Sequence, residues 1–334
     1  MSMANFQGRL AVITGGGAGM GRELALQLAA EGCHVALCDL DEANMAESRQ
    51  LALTAAPAGT RISTHRCDVS DPEQIAAFRD GVLREHGTDH VHLLFNNAGI
   101  GGGGSFVSDP VASWEKTFNI CWGGVYHCCR AFLPALLAAD AGHIVNTSSI
   151  NGFWASIGSQ TPHTAYSAAK FAVKGFSEAL ITDLKINAPH IRVSVVMPGH
   201  IGTSIVENSG KVLGRSPEQM TAADVGELRD QLVASGLPVG NLPDEAIREL
   251  MRQRAREFRD NAPTSAAQAA NIIIEAVRAG RWRILVGDDA AIVDQLVRDD
   301  PEAAYEPAFI QRMTEQGHLQ QLMASTGGAA ERQD

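Results

Sequence analysis

The sequence has 334 residues, 45% hydrophobic and 19% charged, enough chain for one large α/β domain or two smaller ones. Its 27 basic against 38 acidic side chains leave a net charge of −11, which argues against a protein that holds nucleic acid through charge. No run approaches about 18 apolar residues and the first residues form no basic-then-apolar leader, while Cys33, Cys38, Cys67, Cys121, Cys128 and Cys129 lack metal-ligand spacing. The expectation is a cytoplasmic protein with reduced thiols, no metal and no membrane contact.

Residues 9–14 read as a short apolar strand running into Gly15-Gly16-Gly17-Ala18-Gly19-Met20-Gly21, and Leu24, Ala25 and Leu28 then mark the inner face of a helix. Strand, glycine loop and helix in that order open a nucleotide-binding βαβ unit. The glycines let the backbone turn tightly and approach a pyrophosphate, which rests on the N–H groups of the helix N-terminus. The spacing is Thr14-Gly15-x-x-x-Gly19-x-Gly21, without the strict Gly-x-Gly-x-x-Gly. A second strand, residues 34–39, ends in Asp39, whose carboxylate can accept both ribose hydroxyls of an adenosine and would repel a 2′-phosphate. The plainer alternative for Asp39 is a helix cap.

Residues 61–67 form a third strand, closed by Asp68-Val69-Ser70-Asp71-Pro72, where Ser70 or Asp71 caps a helix reaching about His86. The fourth strand, 91–95, ends in Asn96-Asn97-Ala98-Gly99. After the glycine run 101–104 a helical region covers about 110–139 and contains Asn119. The fifth strand, 142–147, delivers Ser148 and Ser149. The sixth, 191–197, ends in Pro198-Gly199-His200-Ile201-Gly202-Thr203. Strands alternating with helices predict a doubly wound parallel sheet whose ligand lies beyond the carboxyl ends of the strands.

From 204 to 262 the strand rhythm stops in favour of polar helical sequence, which reads as a lid insertion. A helix over about 265–279 and a strand over 282–287 complete a seven-stranded sheet, and residues 288–334 read as an acidic helical tail that frays toward Gly327 and Gly328. The whole, 1–334, is expected to be one domain with helices on both faces of the sheet.

Between the fifth and sixth strands stands Ala165-Tyr166-Ser167-Ala168-Ala169-Lys170. Tyr166 and Lys170 share a helix face one turn apart, and an ammonium beside a phenol favours the phenolate, which suits general acid/base work.

Taken together, the glycine loop, Asn96-Asn97-Ala98-Gly99, Asn119, Ser149, Tyr166-x-x-x-Lys170 and Pro198-Gly199 through Thr203 resemble the short-chain dehydrogenase/reductase family in its single-domain branch. The likeness is dense over roughly 6–203 and looser over 264–287. It implies a Rossmann fold and an NAD-dependent oxidoreductase that interconverts a secondary alcohol and a ketone. In that scheme Tyr166 exchanges the proton, and Lys170 assists it and bonds the nicotinamide ribose. Ser149 polarises the substrate oxygen, and Asn119 holds a water that links Lys170 to solvent. The same resemblance puts Gly15, Gly17, Gly19, Met20 and Gly21 around the pyrophosphate, with Asp39 and Leu40 at the adenosine ribose. It places Asp68 and Val69 at the adenine, Asn97, Ala98 and Gly99 along the cofactor, and Pro198, Gly199, Ile201 and Thr203 at the nicotinamide.

Asp39, with the uncharged Ala18 and Leu40 at positions often basic in NADP-selective members, favours NAD over NADP; Arg22, near the phosphates, argues the other way. Ser149 stands 17 positions before Tyr166, a wider gap than the family's common one, so Ser148 and Ser149 both stay open as the site serine. Phe106, Phe153, Trp154, Ile157, Ile205, Val206, Leu213 and Met220 are expected to line a pocket for a bulky apolar alcohol or ketone. His163 and His200 border it, with a solvated loop position the plainer reading of each. The helices near 110–139 and 164–187 predict a homodimer or homotetramer. Rival readings are an epimerase or dehydratase of the extended branch, or a non-catalytic NAD-binding regulator.

Overall fold

The computed structural model describes residues 5–102, 104–156, 162–234 and 236–315. In β1 (Leu10–Thr14) the period-two alternation of a strand sets the layers: Leu10 and Val12 enter one core, Ala11 and Ile13 the other. α1 (Gly19–Ala30) lays Leu24, Ala25 and Leu28 on the second of these cores. β2 (His34–Asp39) leads to α2 (Glu42–Ala55), capped by Asp41, which accepts from the Asn44 N–H. β3 (Ile62–Arg66) follows, then α3 (Pro72–His86), whose cap is Asp71, accepting from the N–H groups of Glu73 and Gln74. Ser70 instead donates to Asp68.

β4 (Leu93–Asn96) precedes α4 (Val111–Phe118), a π-helical turn at Asn119–Gly123, and α5 (Gly124–Leu137). The run Val111–Leu137 is long and apolar enough by composition to cross a membrane. It serves here as a core helix, with Ile120, Val125, Cys128, Cys129 and Phe132 packed into the first core. β5 (Gly142–Thr147), α6 (Thr164–Asn187) and β6 (Ile191–Pro198) complete the central layer.

Next come β7 (Ile201–Gly202), α7 (Ile205–Leu213), α8 (Ala222–Ala234), α9 (Asp244–Asp260) and β8 (Thr264–Ser265). β7 and β8 pair with each other, a two-stranded ladder that the sequence pattern did not reveal because each strand has only two residues. The helical insertion between them has its own small core of Val225, Leu232, Val239 and Ile247. α10 (Ala266–Arg278) starts from a capping box of Ser265 and Gln268, β9 (Arg283–Val286) adds the last strand, and α11 (Asp288–Asp299) and α12 (Pro307–Glu315) follow.

The seven-stranded sheet has the order β3-β2-β1-β4-β5-β6-β9, every neighbouring pair parallel. α1 and α10 cover one face, while α3, α5 and α6 cover the other. The chain leaves β1 in both directions across the sheet, so β1 and β4 flank the switch point where a crevice opens. Through Glu315 the tail is packed. Ala290, Val293, Ala304, Phe309 and Met313 close around Ile150 and Trp154, a third core. The expected fraying near Gly327 lies outside the described residues.

Candidate active site

The glycine loop leaves β1 through Gly15, whose φ of 68° is in the left-handed region that favours glycine. Gly21 is held by proximity: a Cβ there would sit 2.1 Å from the Gly15 carbonyl oxygen. The Thr14 hydroxyl accepts from the N–H groups of Asn97 and Ala98, each at 3.0 Å, which clamps the end of β4 to the loop. No side chain caps α1. Its first-turn N–H groups therefore keep their capacity for an anion. Asp39 closes the loop from the side, accepting from Gly17 N–H at 2.9 Å and Leu40 N–H at 2.7 Å.

Arg22 is committed to the protein. It donates to the Gly17 carbonyl and Ser48 and pairs with Glu47 at 2.6 Å. Asp68 is half-buried at the end of β3, tied to Ser70, and Val69 packs beside Gly124. Met20 leans on the second core, Leu40 is exposed, and Thr203 packs against Gly19. Pro198 ends β6, Ile201 is buried in β7, and Gly199 lies so close to Asp289 that a Cβ there would meet its carboxylate at 2.2 Å. A crowded glycine turn, an uncapped helix N-terminus and a carboxylate at the next strand end fit a dinucleotide. Among the described residues no group of three or more His, Cys, Asp or Glu could hold a metal.

On the other side of the crevice, α6 carries Tyr166 and Lys170 one turn apart. Lys170 is 3% exposed; its Nζ donates to the Thr147 carbonyl at 2.9 Å and lies 5.4 Å from the centroid of the Tyr166 ring. A polar chain fixes the height of α6 against the sheet. Asn96 donates to Asn146 at 2.8 Å, Asn146 donates to Ser177 at 2.9 Å, and Ser177 donates to the Val173 carbonyl. Asn146 and Ser177 are fully buried, and such a satisfied network is specific about register. Sequence reasoning passed over both; the available signal was a polar residue inside an otherwise apolar strand.

The two serines separate. The Ser148 hydroxyl donates to the Lys170 carbonyl at 2.8 Å and is spent on the helix backbone. Ser149 accepts from the Asn151 N–H at 3.2 Å, which leaves its own proton available to a substrate oxygen.

Asn119 does not take the place expected for it. It opens the π-helical turn and is exposed. The side chain presented inward is Cys121, two positions on, which is fully buried and donates to the Ile100 carbonyl at 3.2 Å. A Cβ at Gly99 would lie 3.5 Å from Lys170 Nζ and 3.7 Å from Cys121 Sγ, so that thiol borders the lysine. Residues two apart on a helix point to nearly opposite sides, and this phase turns Asn119 away from the relay position.

The insertion is clasped onto the loop after β4. Gly101 N–H donates to Ser209 at 2.8 Å, Lys116 donates to the Val212 carbonyl, and Gly102 abuts Leu213. Several residues expected in the pocket are elsewhere. Phe106 is 77% exposed, Phe153 and Trp154 belong to the core under the tail, and Met220 packs within the insertion. Ile157 lies outside the described residues. Ile205, Val206 and Leu213 remain on the site's side. Neither histidine is a solvated loop residue. His200 is buried, its Nε2 2.7 Å from the Phe258 carbonyl, and the ring nitrogens of His163 are shut off from water. A groove of about 520 Å³ between Gln7–Arg9, His90, His92 and Ala138–Asp140 opens at the amino ends of the strands, away from this chemistry.

These features agree with what the chain is similar to. A family profile described as short chain dehydrogenase matches residues 9–213. SadH of Mycobacterium tuberculosis, named as an oxidoreductase, is 35% identical over 298 residues, 89% of this chain and 92% of that protein. Levodione reductase of Leifsonia aquatica is 34% identical over 209 residues, 62% of this chain and 75% of that one. A Burkholderia phymatum short-chain dehydrogenase/reductase solved with NAD superposes with a TM-score of 0.71 at 29% identity, covering 91% of this chain and 97% of that one. A metagenomic short-chain oxidoreductase solved with NADP does so at 0.51 and 33%, over 58% and 83%. With the profile spanning most of the sheet and a relative alike over nearly its full length, the chain belongs to the short-chain dehydrogenase/reductase family of oxidoreductases acting on CH–OH groups.

Proposed function

We propose that the protein is an NAD-dependent oxidoreductase that interconverts a secondary alcohol and its ketone, with Tyr166 as general acid/base. The observation that carries this is the buried Lys170 ammonium held 5.4 Å from the Tyr166 ring by the Thr147 carbonyl. A bound nicotinamide dinucleotide supplies the hydride acceptor or donor. Gly15, Gly17, Gly19 and Gly21 with the N-terminus of α1 would hold its pyrophosphate, and Asp39 the adenosine ribose. Tyr166 takes the proton from the alcohol oxygen, or returns it to the ketone. Lys170 favours the phenolate by its charge, and the Ser149 hydroxyl donates to the substrate oxygen.

Asp39 supports NAD over NADP. So does Arg22, which Glu47 and the Gly17 carbonyl hold to the protein instead of leaving it for a 2′-phosphate. Ile205 and Leu213, with the relative named for levodione, support a compact, largely apolar ketone. Exposed Tyr126, Phe171 and Ile186 on α5 and α6 support a homo-oligomer, which light scattering showing only a 35.5 kDa species would exclude. Six buried free thiols support a reducing compartment.

The test is turnover of secondary alcohols with NAD and with NADP, followed at the absorbance of the reduced cofactor, in wild type and Tyr166→Phe. The variant is expected to lose about 10²–10⁴-fold in kcat while still binding NADH. More than a tenth of wild-type activity in the variant, or faster turnover with NADP, would contradict the reading.

A further inference from the structure

His163 immediately precedes α6, and its carbonyl accepts from the Ser167 N–H at 2.8 Å, so its backbone is fixed at the head of the helix that carries Tyr166. Its ring centroid is 6.4 Å from that of Tyr166, the planes at 67°. Thr164, the next residue, donates to the Gly104 carbonyl and accepts from the Trp114 indole, which seals this corner against the loop after β4. Neither ring nitrogen of His163 is reached by water, and neither has a hydrogen-bond partner among the described residues. His86 and His200 each have one idle nitrogen too, but the other is engaged, by Ser63 and by the Phe258 carbonyl.

Burial holds the His163 ring neutral, with the nearby Gly102 carbonyl acting against it without completing a hydrogen bond. A neutral imidazole carries one donor and one acceptor, and a buried site that leaves both unmade is destabilised until something polar fills it. The space it borders lies between Tyr166 and the glycine run, where Leu213 of the insertion abuts Gly102. On an otherwise apolar wall a single polar group sets ligand orientation.

We propose that His163 is a specificity-determining residue that hydrogen-bonds a second oxygen of the substrate, a hydroxyl or keto group remote from the carbon that reacts. The preferred substrates are therefore compact apolar skeletons oxygenated twice. A hydroxyl can serve either nitrogen, a keto oxygen only the protonated one. Sites built to bond an oxygen discriminate strongly against analogues that lack it, because their own polar groups are then left unpaired. This inference rests on the oxidoreductase reading of the same site.

The experiment measures kcat/KM for NADH-driven reduction of cyclohexanone, 4-hydroxycyclohexanone and cyclohexane-1,4-dione, and of the corresponding mono- and dioxygenated decalones. Wild type should favour the dioxygenated member of a series by about tenfold or more, carried mainly by KM. His163→Leu should bring that ratio close to one, and His163→Gln, which retains a donor and an acceptor, should restore part of it. If His163→Leu does not fold, His163→Phe, nearer the shape of the ring, takes its place. A ratio unchanged in the Leu or Phe variant, or a parallel loss on every ketone, overturns the role of His163 alone. Absence of turnover with every ketone in wild type overturns the oxidoreductase reading and this inference with it.

Discussion

The two sides of the crevice are held together in different ways. On the nucleotide side the partners are mostly main-chain groups at strand ends: Asp39 meets the N–H of Gly17 and Leu40, and Thr14 meets those of Asn97 and Ala98. On the substrate side they are side chains reaching between distant segments, such as Trp154 to the Ala304 carbonyl, Tyr305 to Ala155 and Ser209 to Gly101. The first arrangement follows from strand register and is sensitive to backbone crowding. The second depends on a few large or polar side chains and can vary without disturbing the sheet.

The contrast can be broken most forcefully at Trp154. It is buried and packs on Phe309, and its indole donates to Ala304 at 2.8 Å. Trp154→Ala should cost about 3–5 kcal/mol of stability and expose α11 and α12 to protease, with the affinity for NADH little changed. A loss under 1 kcal/mol in urea unfolding would show that the tail does not depend on this anchor. Gly21→Ala is the mirror experiment. The added Cβ meets the Gly15 carbonyl at 2.1 Å, so the loop must shift, by an overpacking cost of about 1–3 kcal/mol. The expected result is weaker NADH binding in titration with the tail as protected as before. Unchanged NADH affinity would mean that the loop does not hold the cofactor.

A smaller effect, common to both sides, comes from acidification. Burial lowers the pKa of His86 and His92 to about 4 and of His143 to about 3, against 6.5 for a free imidazole. The unfolded chain therefore takes up protons below pH 6.5 that the fold refuses until pH 4 or 3. Stability should fall through that window by about 1.4 kcal/mol per pH unit for each histidine. Asp289, whose pKa burial raises, works in the opposite sense and offsets part of the loss. Urea midpoints at pH 7 and pH 5 check this. An equal stability at both would show that the three rings are not held neutral.

The same contrast explains what could be read from the chain beforehand. The strand, glycine loop and helix around Gly15–Gly21 and the Tyr166/Lys170 pair are local patterns, so their placement was legible within a residue or two. Trp154 was assigned to the pocket because an aromatic residue in a loop near Ser149 carries no mark of the tail that covers it. Asn119 was misread because a π turn changes the helical phase, and no residue type in Asn119–Gly123 announces one. Ser148 and Ser149 were indistinguishable until the Lys170 carbonyl was seen to claim the first.

The short ladder Ile201↔Thr264 and Gly202↔Ser265 joins the two ends of the helical insertion side by side. Closure of that long excursion is thus completed locally, just outside β6 and α10, and the main sheet does not bear it. For a loop already closed at its base, doubling its length alters the closure free energy by only about 0.6 kcal/mol. The segment between these strands can therefore be lengthened, trimmed or exchanged for another with the dinucleotide crevice left standing. Fusion or grafting of foreign sequence is best sited between Ser204 and Ala262, where the fold already treats the chain as replaceable.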